Sequence, residues 1–202
     1  AEAFGAHADD QLRTDVPPAT VIIASLLLPG AGHFAPVERP GRTIVTLMDV
    51  PGFFPGKQQE EKGIIRHGAK MLYAYAEATV PKITVVLRKG YGGAKQALCT
   101  REMGADQLFV WPGIELAVMG GGGAVNVLYK REIEQSADPD QTRKDKIAEF
   151  QERFSGPFEA LAKQFAQAAI RPAETRKRLI QSLEILRYKK EERPKRKHGL
   201  MP

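Results

Sequence analysis

Two glycine-rich turns are the parts of this sequence whose residue types best suit chemistry. The first, residues 88–94 (RKGYGGA), joins an apolar run to a segment of helical composition. Glycine lets the backbone approach a ligand closely, and the first N–H groups of a helix lack intrahelical partners and carry partial positive charge. Such a turn can bind an anion or stabilise an oxyanion. The second, residues 120–124 (GGGGA), offers the same chemistry, although plain close packing explains its glycines equally well.

The side chains offer no comparable site. Neither turn is a P-loop, and Val125 stands where a dinucleotide fingerprint would need its third glycine. His67 has no metal-type partner three or four residues away, so no metal site is expected. Asp49 ends a predicted strand, where orienting the following Pro-Gly turn is favoured over a functional role, and Cys99 is predicted to be a small core residue in mid-helix. Backbone donors and a bound cofactor are therefore expected to do the chemistry.

Alternating strand and helix patterns surround the first turn and must position it. Strands are predicted at Thr43–Val50, 83–87, 108–111 and 114–119, and helices at 60–78, 94–103 and 124–129. This alternation predicts an α/β fold with crossover connections, compatible with a crotonase-like spiral or a doubly wound sheet. C-terminal helices follow from residue 138. Their expected inward side chains are Phe158, Leu161 and Phe165, then Leu179, Ile180, Leu183 and Leu186.

Composition narrows the setting of the protein. The 202 residues can form one full domain, and the single cysteine favours a reducing compartment, so a cytoplasmic location (the mitochondrial matrix in a eukaryote) is expected. The N-terminal apolar run 21–29 is too short to span a membrane, and no signal peptide is predicted. Residues 1–42 stay unassigned, with 21–28 either a strand or a turn of helix. Basic residues cluster from 171 to 198, where a solvated helix face and a subunit contact are favoured over nucleic-acid binding.

Many ordered motifs carry a resemblance to a known family. They are DVPGF (49–53), PG (55–56), GIIRHGA (63–69), AEATVP (76–81), RK (88–89), YGGA (91–94), GAD (104–106), WP (111–112), AVMG (117–120), GAV (123–125), ETR (174–176) and KHG (197–199). Together they resemble the β (carboxyltransferase) subunits of propionyl-CoA and related biotin-dependent acyl-CoA carboxylases. The resemblance covers about three quarters of the chain and matches the second of that family's two domains, so residues 43–202 are assigned to an acyl-CoA carboxyltransferase C-terminal domain.

The resemblance implies a crotonase-like spiral domain with C-terminal helices and an enzyme that moves a carboxyl group from carboxybiotin to an acyl-CoA. Carried over by position, the N–H groups of Gly93 and Ala94 would hold the biotin ureido oxygen, with Gly92, Tyr91 and Phe53 beside them. No protein base is required. Implied partners are a biotin carboxylase and biotin carrier subunit, the coenzyme A thioester, and further copies of the chain or a separate N-domain chain.

Departures from the family keep alternatives open. The family's first domain, which binds acyl-CoA, is expected to be missing, and Lys95 and Gln96 stand where the family often has Tyr-Asp, whose aspartate helps to select the acyl chain, so propionyl-CoA is not assigned as the substrate. The leading hypothesis is half of a carboxyltransferase site. A biotin-dependent acyl-CoA decarboxylase subunit and a truncated, non-catalytic assembly paralogue are the alternatives.

Overall fold

The computed structural model of the chain describes residues 19–24, for which only the backbone is considered, and residues 43–192. Most of the unassigned N-terminal segment and the last ten residues, with part of the basic tail, lie outside these ranges. Within them, no helix is long and apolar enough to cross a membrane.

A parallel sheet of six strands forms the centre of the described structure. Its strands are β1 (Ala19–Ala24), β2 (Thr43–Val50), β3 (Lys82–Tyr91), β4 (Gln107–Val110), β5 (Glu115–Ala117) and β6 (Ala168–Ala169). The order is β1-β2-β3-β4-β6, and β5 pairs with the carboxyl end of β3 beyond β4. β1 runs parallel to β2 with Ala19 opposite Thr43, which selects the strand alternative for residues 21–24.

Helices connect and flank these strands. They are α1 (Lys57–Glu61), α2 (Ile64–Glu77), α3 (Gly92–Ala97), α4 (Gly121–Leu128), α5 (Lys130–Glu134), α6 (Pro139–Phe154), α7 (Pro157–Ala162) and α8 (Thr175–Ile185), with 3₁₀ turns at Arg101–Met103 and Pro172–Glu174. The single helix predicted at 60–78 is wrong, because Gly63 adopts a left-handed conformation (φ 75°) that separates α1 from α2. Both glycine turns begin their helices earlier than predicted, at Gly92 and Gly121.

Two apolar clusters pack on the sheet. The larger includes Met48 and Val86, Met71 and Tyr75 of α2, and Ala94 at the start of α3. The smaller joins Ile83 and Val85 to Ile170 and Leu183. Since β2 and β3 are buried on both faces, their β-branched sequences form central parallel strands. The rigid centre of the sheet therefore presents the end of β3, where the first glycine turn begins.

Three predictions about the C-terminal half and Cys99 need correction. Phe158 is 84% exposed and Ile180 is 36% exposed, so neither is a core residue, whereas Leu183 is buried as expected. Cys99 is fully buried, but it follows α3 with φ 62° rather than lying in mid-helix. Helix α6 begins where the sequence indicates, because the Asp138 carboxylate accepts a hydrogen bond from the N–H of Gln141 (3.0 Å).

Candidate functional site

The first glycine turn joins β3 to α3. Tyr91 ends the strand in an extended conformation, and Gly92 then turns the chain with φ 58°, in the left-handed region that favours glycine. A Cβ on Gly92 would also come within 3.2 Å of the Val118 carbonyl oxygen. Gly93 is exposed, Ala94 is fully buried, and among the described residues no side chain caps α3. The N–H groups of its first turn therefore receive no side-chain cap and lack intrahelical partners, as at the start of any helix.

Phe53 forms one wall beside Gly93. Its half-buried ring follows β2 and lies between Gly68 of α2 and Gly93, 3.5 Å from where a Cβ on Gly93 would be. The same ring contributes to an open pocket of about 450 Å³. That pocket is lined by Phe53, Phe54, Pro55, Glu60, Gly63, Ile64, Ile65 and Arg66. The flat apolar ring of Phe53 thus adjoins the exposed Gly93 and also lines the open pocket.

Asp49 holds the end of β3 in place just before the glycine turn. Its carboxylate accepts a hydrogen bond from the Lys89 N–H (3.2 Å) and forms an ion pair with Arg88 (Nη2 to Oδ2, 2.9 Å). The pairing register of β2 and β3 shifts between Met48 and Val50 at this point. Asp49 therefore binds the neighbouring strand rather than the Pro-Gly turn that follows it, and in this way it anchors the residues that lead into the glycines.

The second glycine turn packs against the first. Gly120 precedes α4 and lies against the Tyr91 ring, since a Cβ there would be 3.4 Å from Cε2. A Cβ on Gly121 would come within 3.2 Å of Gln151 Cγ on α6, whereas nothing lies within 4 Å of the corresponding position on Gly122. Close packing explains Gly120 and Gly121. Gly122 is exposed and is not explained by packing.

Tyr91 is 7% exposed, and its hydroxyl donates to the Glu115 carboxylate. Burial, followed by this hydrogen bond, raises the pKa of Tyr91 above its usual value, so the phenol is neutral. Gln151 donates to the same Glu115 oxygen from Nε2 (3.3 Å). Sequence reasoning missed both Glu115 and Gln151, and their separation along the chain leaves no local signal that would have identified them.

The residues after the turn differ in exposure. Gln96 is exposed. Lys95 is half-buried, with Nζ 5.4 Å from the centre of the Phe165 ring, and desolvation lowers the pKa of its ammonium group. His67 lies exposed on α2. Within residues 43–192, no group of three His, Cys, Asp or Glu side chains could hold a metal ion.

Comparison with known proteins identifies the family. Residues 39–201 match the family described as the carboxyl transferase domain. The methylmalonyl-CoA carboxyltransferase 12S subunit of Propionibacterium freudenreichii subsp. shermanii is 54% identical over 159 residues, 79% of this chain and 30% of that subunit. The methylmalonyl-CoA decarboxylase subunit alpha of Propionigenium modestum is 46% identical over 159 residues, 79% of this chain and 31% of its own.

Solved structures show the same fold. A crystal structure of transcarboxylase 12S, with methylmalonyl-coenzyme A and methylmalonic acid bound, superposes with a TM-score of 0.76 at 53% identity, covering 80% of this chain and 31% of that one. The beta subunit of Pseudomonas aeruginosa geranyl-CoA carboxylase gives 0.61 at 29% identity, covering 77% and 30%. The expected crotonase-like α/β fold is therefore confirmed, and the chain spans about 30% of the length of these relatives. By sequence and by fold, the chain belongs to the carboxyl transferase domain family.

Proposed function

We propose that this chain supplies the biotin-side half of a biotin-dependent acyl-CoA carboxyltransferase active site, within residues 43–202. The observation that carries the proposal is the start of α3, which has no side-chain cap and where exposed Gly93 lies beside the Phe53 ring and is followed by buried Ala94. Backbone N–H donors at an uncapped helix start are the kind of group that stabilises an oxyanion.

The residues at the turn fit the ureido ring of biotin. Gly93 has no side chain to keep a planar ring away, and the half-buried Phe53 ring gives an apolar wall next to it. Gly92 supplies the left-handed residue that turns the chain from β3 into α3, ahead of the two proposed donors. The Tyr91 hydroxyl is already bonded to Glu115, so Tyr91 supports the turn through this contact and its side chain is not free to bind a ligand.

The chemistry divides between cofactor and protein. Carboxybiotin on a carrier protein, when bound, would supply the carboxyl group and the basic atom that accepts the acyl-CoA α-proton. The N–H groups of Gly93 and Ala94 would stabilise negative charge on the ureido oxygen. Removing one donor of this kind typically costs about 3–4 kcal/mol of transition-state stabilisation. Gln96, exposed one turn further along α3, is the proposed position for acyl-chain selection.

A second half-site is needed for the acyl-CoA, and an apolar surface supports its docking. Val118, Met119, Val127 and Leu128 surround the second glycine turn and are 42–78% exposed. Large apolar side chains grouped on a surface mark protein contacts. The partner would be an acyl-CoA-binding N-domain, in the same polypeptide or another copy, within an oligomer that also receives a biotin carboxylase and carrier subunit. A relative's structure is described as a hexamer assembly.

Decarboxylation of an acyl-CoA is the second candidate activity. The observation that favours it is the 46% identity to the decarboxylase subunit alpha of Propionigenium modestum over the same length of chain. The two activities use one half-site in opposite directions, so partner subunits would determine which occurs. The proposed location is the cytoplasm, or the mitochondrial matrix in a eukaryote, since the relative from Rattus norvegicus is named mitochondrial.

Transfer of labelled carboxyl groups tests the proposal. The full chain is incubated with carboxylated biotin carrier protein and propionyl-CoA or acetyl-CoA, with and without an N-domain subunit of a relative. We expect transfer only when both halves are present. Gly93→Val should abolish it, because the branched side chain would press on Phe53, which already lies 3.5 Å from the Cβ position. Gly113→Ala is the control, since nothing lies within 4 Å of its Cβ position. Transfer by reconstituted Gly93→Val at the wild-type rate would contradict the oxyanion assignment.

A further inference from the structure

One carboxylate connects the two glycine turns. Glu115 opens β5, which pairs with β3 so that Lys89 lies opposite Glu115 and Tyr91 opposite Ala117. Its Oε2 accepts hydrogen bonds from the Tyr91 hydroxyl and from Gln151 Nε2. Tyr91 leads into the first turn, and Gln151 lies on α6 against the second.

Each donor also contacts a glycine of the second turn. The Tyr91 ring lies 3.4 Å from the Cβ position of Gly120, and Gln151 Cγ lies 3.2 Å from that of Gly121. The second turn is therefore held from two sides by the residues that share Glu115. Hydrogen bonds to a carboxylate are directional and comparatively strong, so an oxygen shared by both donors can fix the position of one turn relative to the other.

We propose that Glu115 is a positioning residue that, through Tyr91 and Gln151, holds the glycine turns at 92–94 and 120–123 in one fixed arrangement. Its consequence for activity rests on the proposed function: the N–H groups of Gly93 and Ala94 stay aimed only while Tyr91 is anchored. A displacement of about 1 Å in a reacting geometry can cost on the order of 100-fold in rate.

Amide NMR spectra of the full chain test the connection without any assay of activity. In Tyr91→Phe, which keeps the ring against Gly120 but loses the donor, we expect the amide signals of both turns, Gly93 to Ala94 and Gly121 to Gly123, to shift together. Glu115→Gln keeps an acceptor oxygen and should leave the amide signals of both turns close to their wild-type positions. Tyr73→Phe, on the exposed face of α2 (39% exposed), is the matched control and should leave both turns unchanged.

Transfer kinetics of the reconstituted complex then test the consequence. For Tyr91→Phe and Glu115→Leu, we expect kcat to fall about 10- to 100-fold, with the KM for acyl-CoA changed less than about twofold. Their double variant should be no slower than the worse single variant, because both remove the same hydrogen bond.

The outcomes separate the two proposals. Shifts confined to the first turn in Tyr91→Phe, or rate losses that add in the double variant, would overturn the positioning role. If wild-type protein shows no transfer, the proposed function fails, whereas joint shifts of both turns would still support the connection through Glu115. A melting temperature matching that of the wild type, together with the loss of kcat, excludes a general loss of stability as the cause.

Discussion

The ring of Phe53 occupies the space that a side chain at Gly68 would fill: a Cβ on Gly68 would come within 2.8 Å of Phe53 Cε1. Gly68 is buried in the middle of α2, where glycine is otherwise unfavourable by about 1 kcal/mol. Glycine at this position weakens α2, but it leaves room for the Phe53 ring of the candidate site to pack against the helix. The glycine at position 68 and the position of the Phe53 ring therefore depend on each other.

Gly68→Ala should consequently separate stability from function. The added methyl improves helix propensity by about 1 kcal/mol but displaces the ring, and these effects roughly offset each other. We expect a free energy of unfolding within about 1 kcal/mol of wild type, measured by urea denaturation, and carboxyl transfer reduced about 10-fold. Gly113→Ala, with open space at its Cβ position, should change neither quantity. Unchanged transfer in Gly68→Ala would show that the Phe53 wall is not needed.

Removing Asp49 and removing Arg88, the two partners of one ion pair, should reduce stability by unequal amounts. The Arg88 side chain is 69% exposed, so Arg88→Met should cost less than about 0.5 kcal/mol. Asp49→Ala also removes the acceptor of the Lys89 N–H and should cost about 1–2 kcal/mol. Urea denaturation of both variants and of their double variant gives the measurement. Equal losses in the two single variants would mean that the exposed ion pair, and not the backbone hydrogen bond, anchors β3.

The sequence predicts the strands better than the helix boundaries, for physical reasons. Thr43–Val50 is a β-branched apolar run, and its strand has the predicted bounds. The break at Gly63 depends on a backbone angle that periodicity does not report, and the glycines of α4 read as loop because their packing against α6 is a tertiary effect. The predicted site residues came from the family motifs and not from the residue patterns alone. Glu115 bonds to Tyr91 across 24 residues and to Gln151 across 36, which local patterns do not encode.

Lys82 should stabilise the fold through the carboxyl end of α2. Its side chain is 3% exposed, and Nζ donates to the carbonyl oxygens of Tyr75 and Ala78 at 3.0 Å each. A cation at this end of a helix also interacts favourably with the helix dipole. Lys82→Met would leave both buried carbonyl groups without this donor, and we expect a loss of about 2–3 kcal/mol in urea denaturation.

The control for Lys82 is Lys57→Met in α1. That lysine is 88% exposed and pairs with Glu61 at 3.7 Å, so its removal should change stability by less than about 0.5 kcal/mol. A loss below about 1 kcal/mol in Lys82→Met would show that the two carbonyl groups find other donors, and that desolvation of the ammonium group, which lowers the pKa of Lys82, offsets its hydrogen bonds.

The buried thiol of Cys99 should make the stability of the protein depend on pH in alkaline solution. Burial, its largest cause, raises the pKa of the Cys99 thiol from 9.0 to about 12. Between these values the unfolded chain loses the thiol proton while the folded protein keeps it, so the free energy of unfolding must fall as pH rises above about 9. One such group contributes about 1.4 kcal/mol per pH unit. Wild-type protein should therefore lose about 1.4 kcal/mol more than Cys99→Ala between pH 8 and pH 10, measured by urea denaturation at each pH.

Comparing wild type with Cys99→Ala separates the effect of the thiol from other effects of alkaline pH. Burial also raises the pKa of Tyr75 to about 12, and because Cys99 is only the smallest of its causes, the contribution of Tyr75 nearly cancels between the two proteins. The strain of φ 62° at residue 99 does not depend on pH and cancels in the same way. Parallel pH profiles for wild type and Cys99→Ala would mean that the thiolate is accommodated in the folded state. Rapid labelling of native protein by a thiol reagent at pH 8 would then be expected, whereas a fully buried neutral thiol reacts only after unfolding.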